Sequence, residues 1–151
     1  LPRMSEGDPN DRDSSGLRPE DEERLREAFD SVPFAHLLGI ELGEMRLGEA
    51  TLHLSVRDEL LQNNGVVHGG VLASLMDSAA AFAILTLLEK GQTTTTVDLT
   101  VHYLRPLVRG RVTAKARVVR AGRRVLVITI DVLDETEALA ATALTSFIRL
   151  S

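Results

Sequence analysis

The chain of 151 residues contains no cysteine and no tryptophan, and only four phenylalanines and one tyrosine. The lack of cysteine excludes disulfides, thiolate nucleophiles and cysteine-based metal sites, and it fits a reducing compartment. The scarcity of aromatic side chains argues against recognition of single-stranded nucleic acid, which depends on bases stacked on aromatic rings. The net charge of −5 lacks the basic balance that duplex binding needs. The composition therefore predicts a protein that binds no nucleic acid.

The negative charge comes from the beginning of the chain. Residues 1–30 hold ten acidic and five basic side chains, whereas the two signs are balanced over the remaining residues. Residues 1–18 are mostly polar and charged, which is typical of a disordered segment, and they contain no apolar run of a secretory signal. We therefore predict a disordered acidic segment over 1–18, one domain over 19–151 and a cytoplasmic location.

The hydrophobic pattern predicts a helix, two strands, a long helix and four more strands. Residues 19–30 begin with a proline and several acids, which favour the start of a helix. Alternation of apolar and polar side chains marks strands at 51–57 and after residue 91. Short turns between consecutive strands predict an antiparallel sheet. Its apolar face needs a cover, and only the helix predicted over 69–89 is long and apolar enough to supply one.

The first strand after the long helix shows the alternation plainly. Its sequence places one set of mostly apolar side chains on one face and a polar set on the other. The first set comprises Val97, Leu99, Val101 and Tyr103, and the second comprises Asp98, Thr100 and His102. The apolar set belongs to the face that the long helix has to cover.

The long apolar segment carries one carboxylate, Asp77, which is the only ionisable side chain from Gly70 to Leu88. A membrane span is one explanation of such a segment, but its many small residues and its lack of a basic flank argue against one. A helix that is apolar on every side is otherwise a buried helix. Burial of a carboxylate is costly unless it is paired. Asp77 is therefore either a structural residue bonded to Ser74 or Ser78, or part of a functional site.

Two glycines, Gly69 and Gly70, stand where the long helix begins. Free N–H groups and the positive end of the helix dipole occur there, and glycine lets a ligand approach the backbone closely. The pair is either a tight turn or a site for a carbonyl oxygen that becomes an oxyanion. Asp77 lies about 12 Å further along the helix axis. Both can act on one small centre only if a second subunit supplies one of them, and a twofold dimer would give two equivalent sites.

Residues 64–79 form the motif Asn-Gly-Val-Val-His-Gly-Gly-Val-Leu-Ala-Ser-Leu-Met-Asp-Ser-Ala, which resembles the signature of hotdog-fold acyl-CoA thioesterases of the phenylacetate-degradation (PaaI-like) type. The segments 97–106 and 121–124 are similar to the same family. The resemblance implies an α+β fold in which a curved antiparallel sheet wraps around one long helix. It also implies homodimers with a continuous sheet, often paired into homotetramers, and hydrolysis of acyl-CoA without metal or cofactor, since coenzyme A is part of the substrate.

The functional residues of that family fall on matching positions of this chain. The catalytic carboxylate corresponds to Asp77 and the oxyanion-binding amide to Gly69. A polar residue seven positions before that glycine, which helps to hold the water or the acid, corresponds to Gln62. A hydroxyl residue near the start of the next strand corresponds to Thr96. Relatives with a threonine four residues after the acid are not matched, because Ala81 stands there.

Further contacts are predicted around the motif and in the basic stretch that follows it. His68, at the helix entrance, is expected to cap or orient the loop, with contact to the substrate as the alternative. Asn64 and Gly70 are predicted to contact the substrate. Residues 105–124 include eight basic side chains and no acid, most of them expected on solvated strand faces. The members in turns are predicted to bind the phosphates of coenzyme A. They are Arg105, Arg123 and Arg124.

The role of Asp77 and the function class each keep an alternative. Asp77 can activate water as a general base, or attack the thioester to form an anhydride. Hotdog folds also serve dehydratases and acyl-CoA-binding regulators. A dehydratase is expected to place a catalytic histidine with its acid, whereas the spacing of His68 resembles the thioesterase pattern. A regulator would usually carry a DNA-binding segment, and residues 1–36 are too short and acidic for one. We therefore predict an acyl-CoA thioesterase that spans no membrane, with a non-catalytic acyl-CoA-binding protein as the alternative.

Overall fold

The computed structural model describes residues 15–150. In chain order the helices and strands are α1 (Pro19–Asp30), α2 (Pro33–Leu38), β1 (Ile40–Arg46), β2 (Glu49–Ser55), α3 (Gly69–Leu85), β3 (Thr93–Tyr103), β4 (Arg111–Ala121), β5 (Val125–Leu133) and β6 (Leu139–Leu150). A single turn of 3-10 helix, Asp58–Leu60, lies between β2 and α3. The predicted order of elements is confirmed, with the short helix α2 as an addition.

The six strands form one antiparallel sheet in the order β1-β2-β4-β5-β6-β3. Helix α3 contacts all six strands. A flat sheet of six strands is about 24 Å wide, whereas a helix with its side chains is only about 10–12 Å across. The sheet must therefore curve around the helix to touch it with every strand. The predicted α+β architecture, a curved antiparallel sheet around one long helix, is confirmed.

The hydrophobic core lies between α3 and the concave face of the sheet. The buried residues of α3 are Leu72, Leu75, Met76, Ala79, Ala80, Phe82, Ala83 and Ile84. Its three buried alanines let the helix approach the sheet closely, where larger aliphatic side chains fill the space between them. The strands contribute Leu52, Leu54, Val112, Leu126, Ile128, Ile130 and Val132. This packing orients α3 so that its remaining face points away from the core.

Helix α3 ends at Leu85, four residues before its predicted end. The next residue, Thr86, is buried. Its hydroxyl donates to the nearby Ala83 carbonyl at 2.6 Å and accepts from the N–H of Gly48, 38 residues earlier in the chain, at 2.7 Å. Hydrogen bonds of this kind between a side chain and the backbone compete with helix propagation. None of the helices within residues 15–150 has the length and apolarity needed to cross a membrane.

The ordered domain begins before residue 19. Leu17 is 3% exposed, and the Leu47 N–H donates to the Ser15 carbonyl at 3.0 Å. The predicted boundary at residue 18 is therefore too late, because an apolar side chain within the acidic segment finds a place in the core. Residues 1–14 of that predicted segment lie outside the described residues.

One face of α3 is left without a cover from the sheet. We call it the open stripe, and it comprises Gly70, Ser74, Asp77, Ser78 and Ala81. Gly70 is exposed and the other four are half-buried. Their spacing of three or four residues places them on one side of the helix. The expectation of a helix enclosed on every side is wrong for the single chain, because the curved sheet covers only the opposite face.

Candidate active site

Asp77 lies in the middle of the open stripe and is half-buried. Its Oδ1 accepts a hydrogen bond from Thr96 Oγ1 of β3 at 2.8 Å. Of the two serines considered as structural partners, Ser74 donates instead to the Gly70 carbonyl at 2.8 Å. No ion pair of the described chain includes Asp77. The carboxylate is therefore oriented by a neutral hydroxyl and is not neutralised by a basic side chain.

A β-bulge directs Thr96 towards α3. Along β6, Thr96 pairs with Phe147 and Asp98 pairs with Ser146, so Val97 is an extra residue without a partner. Side chains alternate along a strand, and an extra residue therefore shifts the alternation by one. The expectation that Val97 shares the covered face is wrong, because Thr96 and not Val97 pairs with the buried Phe147, and 58% of the Val97 surface is exposed. The alternation in the sequence does not reveal which residue is unpaired.

Asp98 stabilises this bulge from within β3. Its Oδ1 accepts a hydrogen bond from the Ser146 N–H at 2.9 Å, and its carbonyl accepts from Thr145 Oγ1 at 2.6 Å. A bulge disrupts the ladder and leaves backbone groups in need of other partners. The side chain of Asp98 supplies an acceptor at that point. Asp98 thus stabilises the strand register that places Thr96 beside Asp77.

His68 caps the start of α3. Its Nδ1 accepts a hydrogen bond from the Gly70 N–H at 2.9 Å, which confirms the predicted capping contact. The Gly70 amide is consequently engaged by the protein, and the amide contact predicted between Gly70 and the substrate is not available in this arrangement. The Gly69 N–H has no acceptor within residues 15–150. It remains a free donor at the positive end of the helix dipole.

Tyr103, at the end of β3, contacts the same helix start. Its hydroxyl donates to the Gly69 carbonyl at 2.7 Å. A Cβ atom on Gly69 would lie 3.1 Å from the Cζ and hydroxyl oxygen of Tyr103, so the ring approaches the glycine closely. The alternation along β3 predicts Tyr103 on the covered face but does not reveal this contact. The available signal was the only tyrosine of the chain, placed on the strand that also carries Thr96.

Gln62 and Asn64 lie in the loop before α3, with exposed side chains. The backbone of Gln62 closes the loop, because its N–H donates to the Val66 carbonyl at 2.8 Å and its carbonyl accepts from the Gly65 N–H at 3.0 Å. Asn64 Oδ1 accepts from the Val66 N–H at 3.3 Å. No hydrogen bond of the described chain joins either side chain to Asp77. Their predicted contacts with the acid, the water or the substrate stay predictions.

The three arginines predicted to bind phosphate lie at opposite ends of the sheet. Arg123 and Arg124 form the turn between β4 and β5, at the end where Thr96 lies. Arg105 follows β3 at the other end, where its N–H donates to the Ala140 carbonyl at 3.1 Å. The nine residues of β5 separate the two ends by about 27 Å. A single subunit cannot gather all three arginines around one ligand.

The two halves of the predicted site also stay apart within one chain. Asp77 and Gly69 belong to the same helix and are about 12 Å apart along its axis. Each half is bonded to a different end of β3, through Thr96 and Tyr103 respectively. Across the described ranges, no three carboxylate or imidazole side chains are close enough to hold a metal ion.

Comparisons with known proteins agree with this architecture. Residues 64–141 match the thioesterase superfamily. The medium/long-chain acyl-CoA thioesterase YigI of Salmonella typhimurium is 30% identical over 131 residues, covering 77% of this chain and 84% of that protein. A solved thioesterase of Haemophilus influenzae superimposes with a TM-score of 0.79 and 29% identity, covering 85% of this chain and 90% of that one. The PaaI protein of E. coli gives a TM-score of 0.82 and 26% identity, with coverage of 89% and 96%.

The fold and these similarities define the class of protein: a hotdog-fold thioester hydrolase of the PaaI-like type. The match to the family extends over more than half of the chain, from the loop before α3 to the start of β6. The chain belongs to the thioesterase superfamily.

Proposed function

We propose that the protein is an acyl-CoA thioesterase that hydrolyses a coenzyme A thioester to the free acid and coenzyme A. The hydrogen bond between Asp77, on the open stripe, and Thr96 of β3 is the observation that carries this proposal. It presents a half-buried carboxylate that is oriented, not ion-paired and still reachable. A carboxylate held in place by a hydrogen bond and open to water is positioned to act as a general base. The acyl-CoA thioesterase activity named for the Salmonella relative supports the substrate class.

The outer edge of β3 supports association with a second copy. β3 is an edge strand of 11 residues, and its exposed side chains include Val97 and Tyr103 at 58% and 53%. A long edge with unpaired backbone groups and apolar side chains is ordinarily covered. We propose that the β3 strands of two copies pair antiparallel about a twofold axis, which extends the sheet through the dimer. Pairing of such dimers into tetramers stays a prediction.

We propose a register for this pairing that joins the two halves of the site. With the axis midway between Thr96 and Tyr103, Thr96 of one copy lies opposite Tyr103 of the partner subunit. Thr96 marks the position of Asp77, and Tyr103 marks the position of Gly69. The same pairing therefore brings Asp77 beside Gly69 of the partner subunit. Two equivalent sites result, each built from both chains.

The proposed reaction uses the two halves together. The Gly69 N–H donates to the thioester carbonyl oxygen and stabilises the negative charge that develops there. Asp77, oriented by Thr96, takes a proton from water while the water oxygen bonds to the carbonyl carbon. The C–S bond then breaks, and the thiolate leaves and receives the proton. In the alternative route Asp77 attacks the carbonyl carbon itself, and water hydrolyses the resulting anhydride. Either route needs no group beyond the residues named and water.

The remaining predicted contacts fit the dimeric arrangement. Arg123 and Arg124 lie at the Asp77 end of the sheet, and the antiparallel pairing brings Arg105 of the partner subunit to that end. We propose that these exposed guanidinium groups bind the phosphates of coenzyme A. Gln62 and Asn64, exposed in the loop before α3, are proposed to contact the water or the substrate. The proposed location is the cytoplasm, where coenzyme A thioesters are expected. The absence of cysteine fits a reducing compartment of this kind.

The test of this function is thiol release from a panel of short-chain, medium-chain, long-chain and aryl acyl-CoAs. Asp77→Asn is compared with Asp131→Asn, which lies away from the proposed site. The Asp131 carboxylate also accepts from a threonine, Thr142 Oγ1, and the distance of 2.8 Å equals that between Thr96 and Asp77. We expect wild type and Asp131→Asn to release thiol at similar rates, and Asp77→Asn to be at least about 100-fold slower. Acyl-CoA binding without thiol release by the wild type would instead favour the non-catalytic acyl-CoA-binding protein.

Subunit complementation tests whether the site is shared. Asp77→Asn and Gly69→Pro each remove one half of the site, and refolding them together forms mixed dimers. About half of those dimers are mixed, and one of their two sites is intact, so about a quarter of the wild-type activity should return. Mixing restores no activity if both halves act within one chain.

A further inference from the structure

The peptide unit between Gly69 and Gly70 is held on both of its polar atoms. Its carbonyl oxygen accepts from the Tyr103 hydroxyl at 2.7 Å, and its N–H donates to His68 Nδ1 at 2.9 Å. The two atoms belong to one planar unit. Two hydrogen bonds on opposite edges of that plane therefore fix its rotation, which neither bond does alone.

Packing of the tyrosine ring adds a steric limit to the same unit. The space for a Cβ atom on Gly69 is bounded by Tyr103 at 3.1 Å. The ring is itself 53% exposed, so it contributes little to the hydrophobic core of the single chain. Its most specific contact is with the backbone of Gly69. The hydrogen bond and the close approach of the ring together place Tyr103 where it can hold that backbone.

The geometry points to Tyr103 as a positioning residue that sets the direction of the Gly69 N–H, an inference that rests on the proposed function. Consecutive glycines at a helix start have wide backbone freedom. The free N–H of Gly69 belongs to the His68–Gly69 peptide. That peptide is joined to the restrained Gly69–Gly70 peptide at the Gly69 Cα. Restraint of the Gly69–Gly70 peptide limits rotation about that Cα, and the donor is aimed before the substrate arrives. An oxyanion donor is effective only when it is preorganised in this way.

The arrangement does not assign proton transfer to Tyr103. Its hydroxyl proton is directed at the Gly69 carbonyl, which competes with donation to a leaving group. Loss of the hydroxyl should therefore lower kcat without moving the pH profile of kcat. A general acid would behave differently, because its removal shifts the alkaline side of that profile.

The first experiment is Tyr103→Phe, which keeps the ring and removes the hydroxyl. We expect kcat to fall by about tenfold, less than the roughly 100-fold or greater loss that follows removal of an oxyanion donor. KM should stay within about twofold and the pH profile should keep its shape. Asp131→Asn, the control already used for thiol release, lies away from β3 and should keep the wild-type kcat. An unchanged kcat in Tyr103→Phe, or an effect on KM alone, overturns the inference.

A double-mutant cycle with His68→Ala tests whether both side chains act through one peptide. If both side chains act through the shared peptide, the fold-loss of kcat in the double variant is smaller than the product of the fold-losses in the two single variants. A loss equal to the product means that Tyr103 acts elsewhere, and it overturns the inference. The single variants alone cannot separate these cases, because either bond affects the same helix start.

Amide hydrogen exchange supplies a readout that does not need catalysis. The Gly70 N–H should exchange about tenfold faster in Tyr103→Phe, because its peptide loses one of two restraints. The Gly122 N–H, which donates to the Val125 carbonyl at 2.9 Å in a distant turn, is the control and should not change. Unchanged exchange at Gly70 overturns the inference even if the wild type releases no thiol. Thiol release by the wild type and its loss in Asp77→Asn test the proposed function separately.

Discussion

Thr96 and Tyr103 lie seven residues apart on β3, and both side chains contact α3. In a regular strand an odd separation places two side chains on opposite faces. The unpaired residue Val97 removes that conflict, so Thr96 bonds to Asp77 while Tyr103 bonds to Gly69. One strand thus aligns both halves of the proposed site, and the bulge is a feature on which that alignment depends.

Gly69→Pro tests the proposed oxyanion donor directly. Proline removes the N–H, is favoured at the first helical position and suits the extended backbone of His68, with φ −60° and ψ 132°. We expect kcat to fall by about 10²–10³. Gly69→Ala is the matched control, since its Cβ also presses on Tyr103 but its N–H remains. Similar activity in both variants would mean that the N–H does not act in catalysis.

Thr96→Ala tests the orientation of the carboxylate. Loss of the hydroxyl leaves Asp77 Oδ1 without its donor, and kcat should fall by about tenfold, in line with a hydrogen bond to a charged group. Thr96→Ser should restore most of the activity. Thr142→Ala removes an equivalent bond to Asp131 and should leave kcat unchanged. Equal effects of Thr96→Ala and Thr142→Ala would contradict a role in the site.

Asp98→Ala and Asp98→Asn separate the geometry of the bulge from its charge. Alanine removes the acceptor of the Ser146 N–H and should lower kcat together with the free energy of unfolding, the latter by about 1 kcal/mol. Asparagine keeps an acceptor oxygen and should behave like the wild type. Steady-state rates and urea unfolding measure both quantities. A loss of activity in Asp98→Asn as large as in Asp98→Ala would show that the negative charge matters.

Thr86→Val tests the buried polar contact between the end of α3 and the β1–β2 turn. Valine has nearly the same shape but leaves the Gly48 N–H without its acceptor. An unpaired buried donor should lower the free energy of unfolding by about 1–3 kcal/mol, while kcat per folded molecule should not change. Thr86→Ser keeps the hydroxyl and should lose less. Equal stability of the valine variant and the wild type would disprove the assignment.

His53 should make the stability of the protein depend on pH. Burial lowers the pKa of His53 from its ordinary value of 6.5, and nearby Arg111 and Lys115 lower it further while Glu41 opposes them. The unfolded chain therefore binds the proton more readily. This contribution to stability is present above about pH 6.5 and is lost as the pH falls towards the lower pKa of the folded state. Urea unfolding between about pH 5 and pH 8 measures it, and His53→Gln should flatten the dependence.

Local patterns in the sequence are sufficient to predict the order of elements and the main candidates for the site. Alternation in the strands and the apolar length of α3 are local properties, so they can be recognised without knowing what each element contacts. Asp77 stood out because it is charged within an apolar segment, and Gly69 because it begins a helix. The same local rules could not locate the end of α3, since Thr86 ends it through a contact with the distant residue Gly48.

The contacts that hold these residues depend on tertiary packing. The bulge at Val97 depends on the register of β3 against β6, and the partners of Asp98 lie on β6, 47 and 48 residues further along the chain. The bonds of Thr96 to Asp77 and of Tyr103 to Gly69 span 19 and 34 residues. Strand register and side-chain contacts of this kind arise from packing between distant segments. A pattern within one segment does not contain them.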